Sequence, residues 1–219
     1  MAANIAMTWD NTGEKIWEAG VDRGVLFKMD GASYGAGVAW NGLTAVNESP
    51  SGAEENKHYA DNIKYASIFS AEDFGCTIEA FQSPKEFDEC DGTAEIAEGV
   101  TIAQQARKAF GFSYRSLLGS DVADAGVEGY IIHLVYSCKA SPSEKSRSTI
   151  NESPEPTGFS WTVTTTPINV TDHKPTAHLQ INSKRVDPDK LATFEEILYG
   201  SGTTPARLPL PDEVASLFS

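Results

Sequence analysis

The side chains able to do chemistry in this chain are few, and their spacing fits no catalytic or metal-binding pattern. The four histidines, His58, His133, His173 and His178, stand at no i, i+4 or His-x-His spacing, and none lies beside a cysteine pair. Zinc sites are usually marked by such short spacings, so no metal and no other cofactor is expected. His133 sits within a strand-like run and is read as a side chain on the wetter face of a sheet. The three cysteines, Cys76, Cys90 and Cys138, are odd in number and form no Cys-x-x-Cys pair. They read as small core hydrophobes and free thiols of a reducing cytoplasm rather than as a disulfide framework.

The acidic turn Asp88-Glu89-Cys90-Asp91-Gly92 invites comparison with a calcium loop. Placing Gly92 at the sixth position puts Glu98 at the twelfth, but Phe87 then stands first, where a carboxylate is required. A solvated acidic loop is the simpler reading. Gly31, Gly35 and Gly37 are followed by no Gly-Lys-Ser/Thr and open no helix, so they cradle no phosphate. No serine is read on a strained strand-to-helix elbow. No enzyme is expected.

These residues must be positioned by strands. Phe159-Ser160-Trp161-Thr162-Val163 alternates apolar and polar, the period of a strand with one dry face. The runs Tyr130 to Tyr136 and Phe110 to Arg115 are equally strand-like, with Phe112, Tyr114, Leu134, Tyr136, Phe159 and Trp161 read as core. Further strands are expected at 24–29, 38–40, 43–48, 62–69, 74–81 and 176–182, with Asn41-Gly42 read as a hairpin turn. Residues 99–107 fit helix or strand, and 118–128 and 141–148 read as loops. Asp187 and Pro188 open one amphipathic helix carrying Leu191, Phe194, Ile197 and Leu198. The whole is expected to be mainly β, an antiparallel sandwich or barrel with one flanking helix, in a single domain of residues 1–219.

Three segments look too extended to belong to a self-contained core. They are an N-terminal arm (1–20), a long polar loop (49–60) and a Pro-rich C-terminal arm (201–219). The charge is also unusual: 17 basic against 31 acidic residues give −14. Such a field opposes binding to nucleic acid or to an anionic membrane, and the small basic group at Lys145 and Arg147 cannot offset it. Met1-Ala2-Ala3-Asn4-Ile5 lacks the basic and apolar regions of a signal peptide. No apolar run approaches the roughly 20 residues a membrane helix needs.

Over residues 38 to 218 the chain resembles the major tail tube proteins of long-tailed, non-contractile bacteriophages. The resemblance is carried by Trp40-Asn41-Gly42, Glu48-Ser49-Pro50-Ser51-Gly52-Ala53-Glu54, Tyr59-Ala60-Asp61-Asn62 and Ile78-Glu79-Ala80-Phe81. It continues through Cys90-Asp91-Gly92, Phe110-Gly111-Phe112-Ser113-Tyr114-Arg115, Thr149-Ile150-Asn151-Glu152-Ser153-Pro154 and the ending Leu208-Pro209-Leu210-Pro211-Asp212-Glu213-Val214. The order and coverage of these elements matter more than any one of them. The Asn-Glu-Ser-Pro tetrad, present at 47–50 and again at 151–154, has no assigned role.

The resemblance implies a tail tube fold whose subunits form sixfold rings stacked into a hollow tube, assembled in the host cytoplasm and carried in the virion tail. Implied partners are further copies of the chain, a tape measure protein, the distal tail and tail terminator proteins, and DNA in transit. The segment containing Ser49, Pro50, Gly52, Glu54, Glu55 and Tyr59 would bridge successive rings. Glu79, Glu86, Asp88 and Glu89 would line an acidic lumen that repels phosphate. The alternatives are a tube component of a gene-transfer or secretion system, or a carbohydrate-binding β-module using Trp9, Trp17, Trp40 or Trp161.

Overall fold

The computed structural model describes residues 7–122, 127–150, 152 and 155–219. In chain order the strands are β1 (Ile16–Asp30), β2 (Ser33–Tyr34), β3 (Val38–Trp40), β4 (Leu43–Glu48), β5 (Ser51–Gly52), β6 (Glu55–Ala60), β7 (Ile63–Phe69), β8 (Glu72–Asp73) and β9 (Gly75–Ala80). After a single 3-10 turn at Lys85–Phe87 come β10 (Ala94–Ala97), β11 (Val100–Ile102), β12 (Phe110–Ser120), β13 (Gly129–Ala140), β14 (Phe159–Thr165), β15 (Ile168–Val170), β16 (His173–Thr176) and β17 (His178–Asn182). Two helices close the chain, α1 (Pro188–Tyr199) and α2 (Pro211–Phe218).

Nine strands form one antiparallel sheet in the order β2-β1-β12-β13-β14-β9-β4, with β3 also on β1 and β17 also on β13. Strand β13 makes the sheet curl. Its first half, Ile131 to Val135, pairs with β17, whereas Cys138 to Ala140 pair with β14. Ser137, at φ 48°, stands between the two ladders. A left-handed residue inside a strand breaks the pleat and re-aims the residues beyond it, so β14, β9 and β4 fold back over β1 and β12. Strand β1 bends too, with Gly20 and Arg23 at positive φ where its register to β12 shifts. No ladder joins β4 to β1 among the described residues, so the sheet is not a closed barrel.

The curl encloses one core, and the helices cover a second on the opposite face. Inside lie Leu26, Trp40, Ile78, Phe87, Phe112 and Trp161. The Trp40 ring meets Phe87 at 4.5 Å and Phe112 at 5.5 Å between centroids. These tilted and edge-on contacts suit the aromatic quadrupole. Outside, Val25, Phe27, Leu134 and Tyr136 pack against Leu191, Phe194 and Leu198 of α1 and Val214 of α2. Because successive residues at Val25–Phe27 of β1 and around Leu134–Tyr136 of β13 point to different cores, both faces are apolar there and the local sequence is an apolar run rather than an alternation. Phe112, Tyr114, Leu134, Tyr136 and Trp161 are buried, and Phe159 is half-buried.

Several expectations are corrected. There are two helices among the described residues rather than one, and the 201–219 segment is not an extended arm. Pro211 at the first helical turn, followed by Asp212 and Glu213, starts α2 in the usual way. Leu208 and Val214 are buried in the second core, and Tyr136 donates from its hydroxyl to the Pro209 carbonyl at 2.9 Å. The 49–60 segment is not a loop but β5 and β6. Residues 16–20 of the expected N-terminal arm belong to β1, where Ile16 pairs with Ser120. Asn41-Gly42 is no hairpin, because β3 pairs with β1 and β4 with β9. It is the corner at which the chain changes layer. Strand β12 extends to Ser120, into the expected 118–128 loop, and Val100 to Ile102 form a strand. Of the second Asn-Glu-Ser-Pro tetrad, residues 151, 153 and 154 lie outside the described residues.

Candidate functional site

Among the described residues, a β-hairpin gathers several exposed large apolar side chains on one element. β6 and β7 pair from Glu55 opposite Phe69 to Ala60 opposite Ile63, and turn at Asp61 and Asn62, both at positive φ. Asp and Asn tolerate that region, which the tight two-residue turn demands. Almost every side chain of the hairpin is exposed, including Tyr59, Ile63, Tyr65, Ile68 and Phe69. Glu55 is held below the usual carboxylate range by hydrogen bonds from Lys64 and Ser67 and by Lys57 at 3.3 Å. A two-stranded hairpin in water is marginal by itself, and this one keeps its apolar side chains exposed.

The root of the hairpin is tightly shaped. Ser51 pairs with Asp73 and Gly52 with Glu72, while Ser70 donates its backbone N–H to the Glu54 carbonyl at 3.1 Å. Gly52 has φ 88°, and a Cβ placed on it would stand 2.2 Å from the Ala71 carbonyl oxygen. No other residue fits there without moving backbone. A smaller hairpin, β10–β11, exposes Ile96, Val100 and Ile102, and the segment before β1 exposes Met7 and Trp9.

The residues expected to bridge rings therefore divide. Ser49 and Pro50 lie exposed between β4 and β5, Gly52 forms the root, and Glu55 and Tyr59 belong to β6. Glu54 is exposed just ahead of β6. The acidic residues expected in a lumen also differ among themselves. Glu89 is ion-paired with Lys28 at 3.0 Å and Lys108 at 2.6 Å, which hold its carboxyl low. Partial burial pushes the Asp88 carboxyl up. Glu79, on β9, accepts from Asn47 Nδ2 at 3.0 Å, and Glu86 is exposed with no ion-pair partner among the described residues.

One constellation has no signal in sequence spacing. Glu48 at the end of β4, His133 in β13 and His178 at the start of β17 converge, their nearest ligand-type atoms within 4.8 Å of one another. His133 Nδ1 and His178 Nε2 are 3.2 Å apart, and Glu48 Oε1 is 3.5 Å from the first and 3.8 Å from the second. His133 is buried, not on a wet face as expected. Tyr114 lies flat on it at 4.4 Å, and Phe74 stacks on His178 at 4.4 Å. Tyr114 donates its hydroxyl to Glu48 Oε1 at 2.6 Å, and Ser116 Oγ meets His133 Nε2 at 2.9 Å. Burial depresses both imidazoles, His178 to about 4, so both are neutral at neutral pH. Spacing rules missed the group because its members come from three strands of a curled sheet. The available hint was a titratable side chain in the middle of the apolar run Ile131 to Tyr136.

Other chemistry is weak. Against the expectation of no nucleophile elbow, Gly31-Ala32-Ser33-Tyr34-Gly35 has the spelling of one. The segment turns β1 into β2 rather than opening a helix, and Ser33 Oγ rests on the Asp30 carbonyl at 3.4 Å. A pocket of about 600 Å³ lies between Arg23, Trp40, Leu43 and Tyr199. Its carboxylate, Asp22, is gripped by Arg115 Nε and Nη2 at 2.7 and 2.6 Å. Burial pushes the Cys76 and Cys90 thiols up to about 12 and Cys138 well above its ordinary value, the reverse of a reactive thiolate. Comparison with protein-family models and with curated proteins finds no match for this chain.

Proposed function

We propose that the chain is a structural subunit that assembles with copies of itself into stacked rings forming a hollow tube, of the kind that makes the tail of a long-tailed, non-contractile phage. The observation that carries this reading is the β6–β7 hairpin, which holds five large apolar or aromatic side chains in water at 58 to 75 % exposure. Scattered exposed apolar residues are ordinary, but a group concentrated on one projecting element marks an interaction surface. The occupant is a second copy of the chain, which agrees with the resemblance across residues 38 to 218. Strand β6 of the hairpin, Glu55–Ala60, is the second half of the 49–60 segment assigned to ring stacking on that resemblance.

The charge supports the same reading. With −14 per subunit, a tube made of such subunits repels DNA phosphates and lets the molecule pass without sticking. Glu86 and Glu79 suit a lumen better than Glu89, whose charge Lys28 and Lys108 already offset. The tape measure protein, the distal and terminator proteins of the tail, and DNA in transit are the partners this role requires. A sugar-binding platform would have to use Trp9 and Trp17, which are exposed, because Trp40 and Trp161 are core residues. Negative-stain microscopy of the concentrated full chain tests the proposal. Rings or tubes are expected; a protein that stays monomeric at every concentration, in the presence of a tail-tip complex as well, overturns it.

A further inference from the structure

We propose that Glu48, His133 and His178 form a binding site for one zinc-class divalent cation, which ties the end of β4 to the β13–β17 pair. The proposal rests on geometry. The three facing atoms make a triangle with edges of 3.2, 3.5 and 3.8 Å. A tetrahedral centre with bonds of about 2.1 Å separates its ligand atoms by about 3.4 Å, so an ion bound to all three fits this triangle with little movement of the backbone. Two imidazole nitrogens and a carboxylate suit zinc and its neighbours, not calcium or magnesium, which take oxygen ligands.

The surroundings are those a metal site needs. Ser116 Oγ at 2.9 Å and Glu18 Oε1 at 3.7 Å face His133 Nε2, which favours the tautomer carrying its proton there and leaves the Nδ1 lone pair turned inward. Tyr114 orients the carboxylate and leaves Glu48 Oε2 free of that bond. The two histidine rings are within 9° of parallel and bridged nitrogen to nitrogen. A cation replaces that ring-to-ring hydrogen bond, with each ring tilting off the line between them. Glu48 and His133 also line a pocket of about 300 Å³ together with Glu18 and Ser116, on the Nε2 side of the His133 ring. The consequence is mechanical: β4 pairs with β9 and β17 with β13, not with each other, and a bound ion ties these two parts of the sheet together.

Calorimetric titration of the chelator-treated full chain with zinc chloride, paired with thermal unfolding, tests the site. One ion per chain is expected, with an unfolding midpoint several degrees higher in zinc and unchanged in magnesium. Cobalt should give the visible absorption of a four-coordinate centre. His178→Gln and Glu48→Gln should abolish the zinc shift while unfolding near the wild-type midpoint in chelator. Tyr114→Phe should weaken binding about 10- to 100-fold, the usual effect of removing a group that orients a ligand. His58→Gln with His173→Gln should change nothing. Zinc that leaves the wild-type midpoint unmoved, or moves it equally in His178→Gln and Glu48→Gln, overturns the proposal. These measurements read metal binding on the isolated chain, so their failure leaves the assembly reading intact.

Discussion

Tyr136 has its ring in the second core, and its hydroxyl, buried there, donates to the Pro209 carbonyl 73 residues along the chain. It thereby fastens the segment that leads into α2. Tyr136→Phe strands a buried carbonyl, and leaving such an acceptor unpaired costs about 1–3 kcal/mol. Urea unfolding should show that loss, and amide exchange should show α2 opening before the sheet. Phe112 tests the first core in the same way. It is fully buried between Trp40 and Tyr114, and Phe112→Ala should cost about 3–5 kcal/mol in the same measurement. A loss below about 1 kcal/mol would mean that the aromatic cluster is looser than its contacts imply.

At the scale of elements, the hairpin and α2 make opposite predictions. The β6–β7 hairpin contributes little to the two cores, so replacing Glu54 to Ser70 with a short Gly-Ser link should leave the unfolding midpoint within a few degrees. The ends to be joined already sit one hydrogen bond apart. Tubes should no longer form, and long tubes from this variant would remove the hairpin from the stacking contact. Gly52→Ala is the subtler version. With φ 88° and the Ala71 carbonyl in the way, it must re-aim the hairpin and should lower tube yield without unfolding the sheet. Truncation before α2 is different, because Val214 covers part of the second core. That variant should bind a hydrophobic dye and unfold more easily than the intact chain.

For the whole molecule, the acidic excess would set the conditions of the proposed assembly. Subunits carrying −14 repel one another, and salt shortens the reach of that repulsion from about 30 Å at 0.01 M to about 10 Å at 0.1 M. Tube growth monitored by light scattering should therefore be faster at moderate salt than at low salt. Growth that slows as salt is added would point instead to assembly held by ion pairs across the contact.

The sequence by itself determined the local elements whose signals are short-range. Alternation in Phe159 to Val163 marked β14, the aromatic β-branched run marked β13, and Asp187 with Pro188 marked α1, because strand period and helix capping are written in neighbouring residues. It also marked the 49–60 segment as unusual, yet read β6 as loop: a hairpin exposed on both faces has no apolar alternation to display. The second helix hid behind prolines at 205, 209 and 211, of which only Pro211 enters it. Only tertiary structure decided which faces of β1 and β13 were dry, since both are. It alone showed that Asn41-Gly42 turns a corner between layers. And it alone gathered Glu48, His133 and His178, residues far apart in sequence and meeting only because the sheet changes partner at Ser137 and curls.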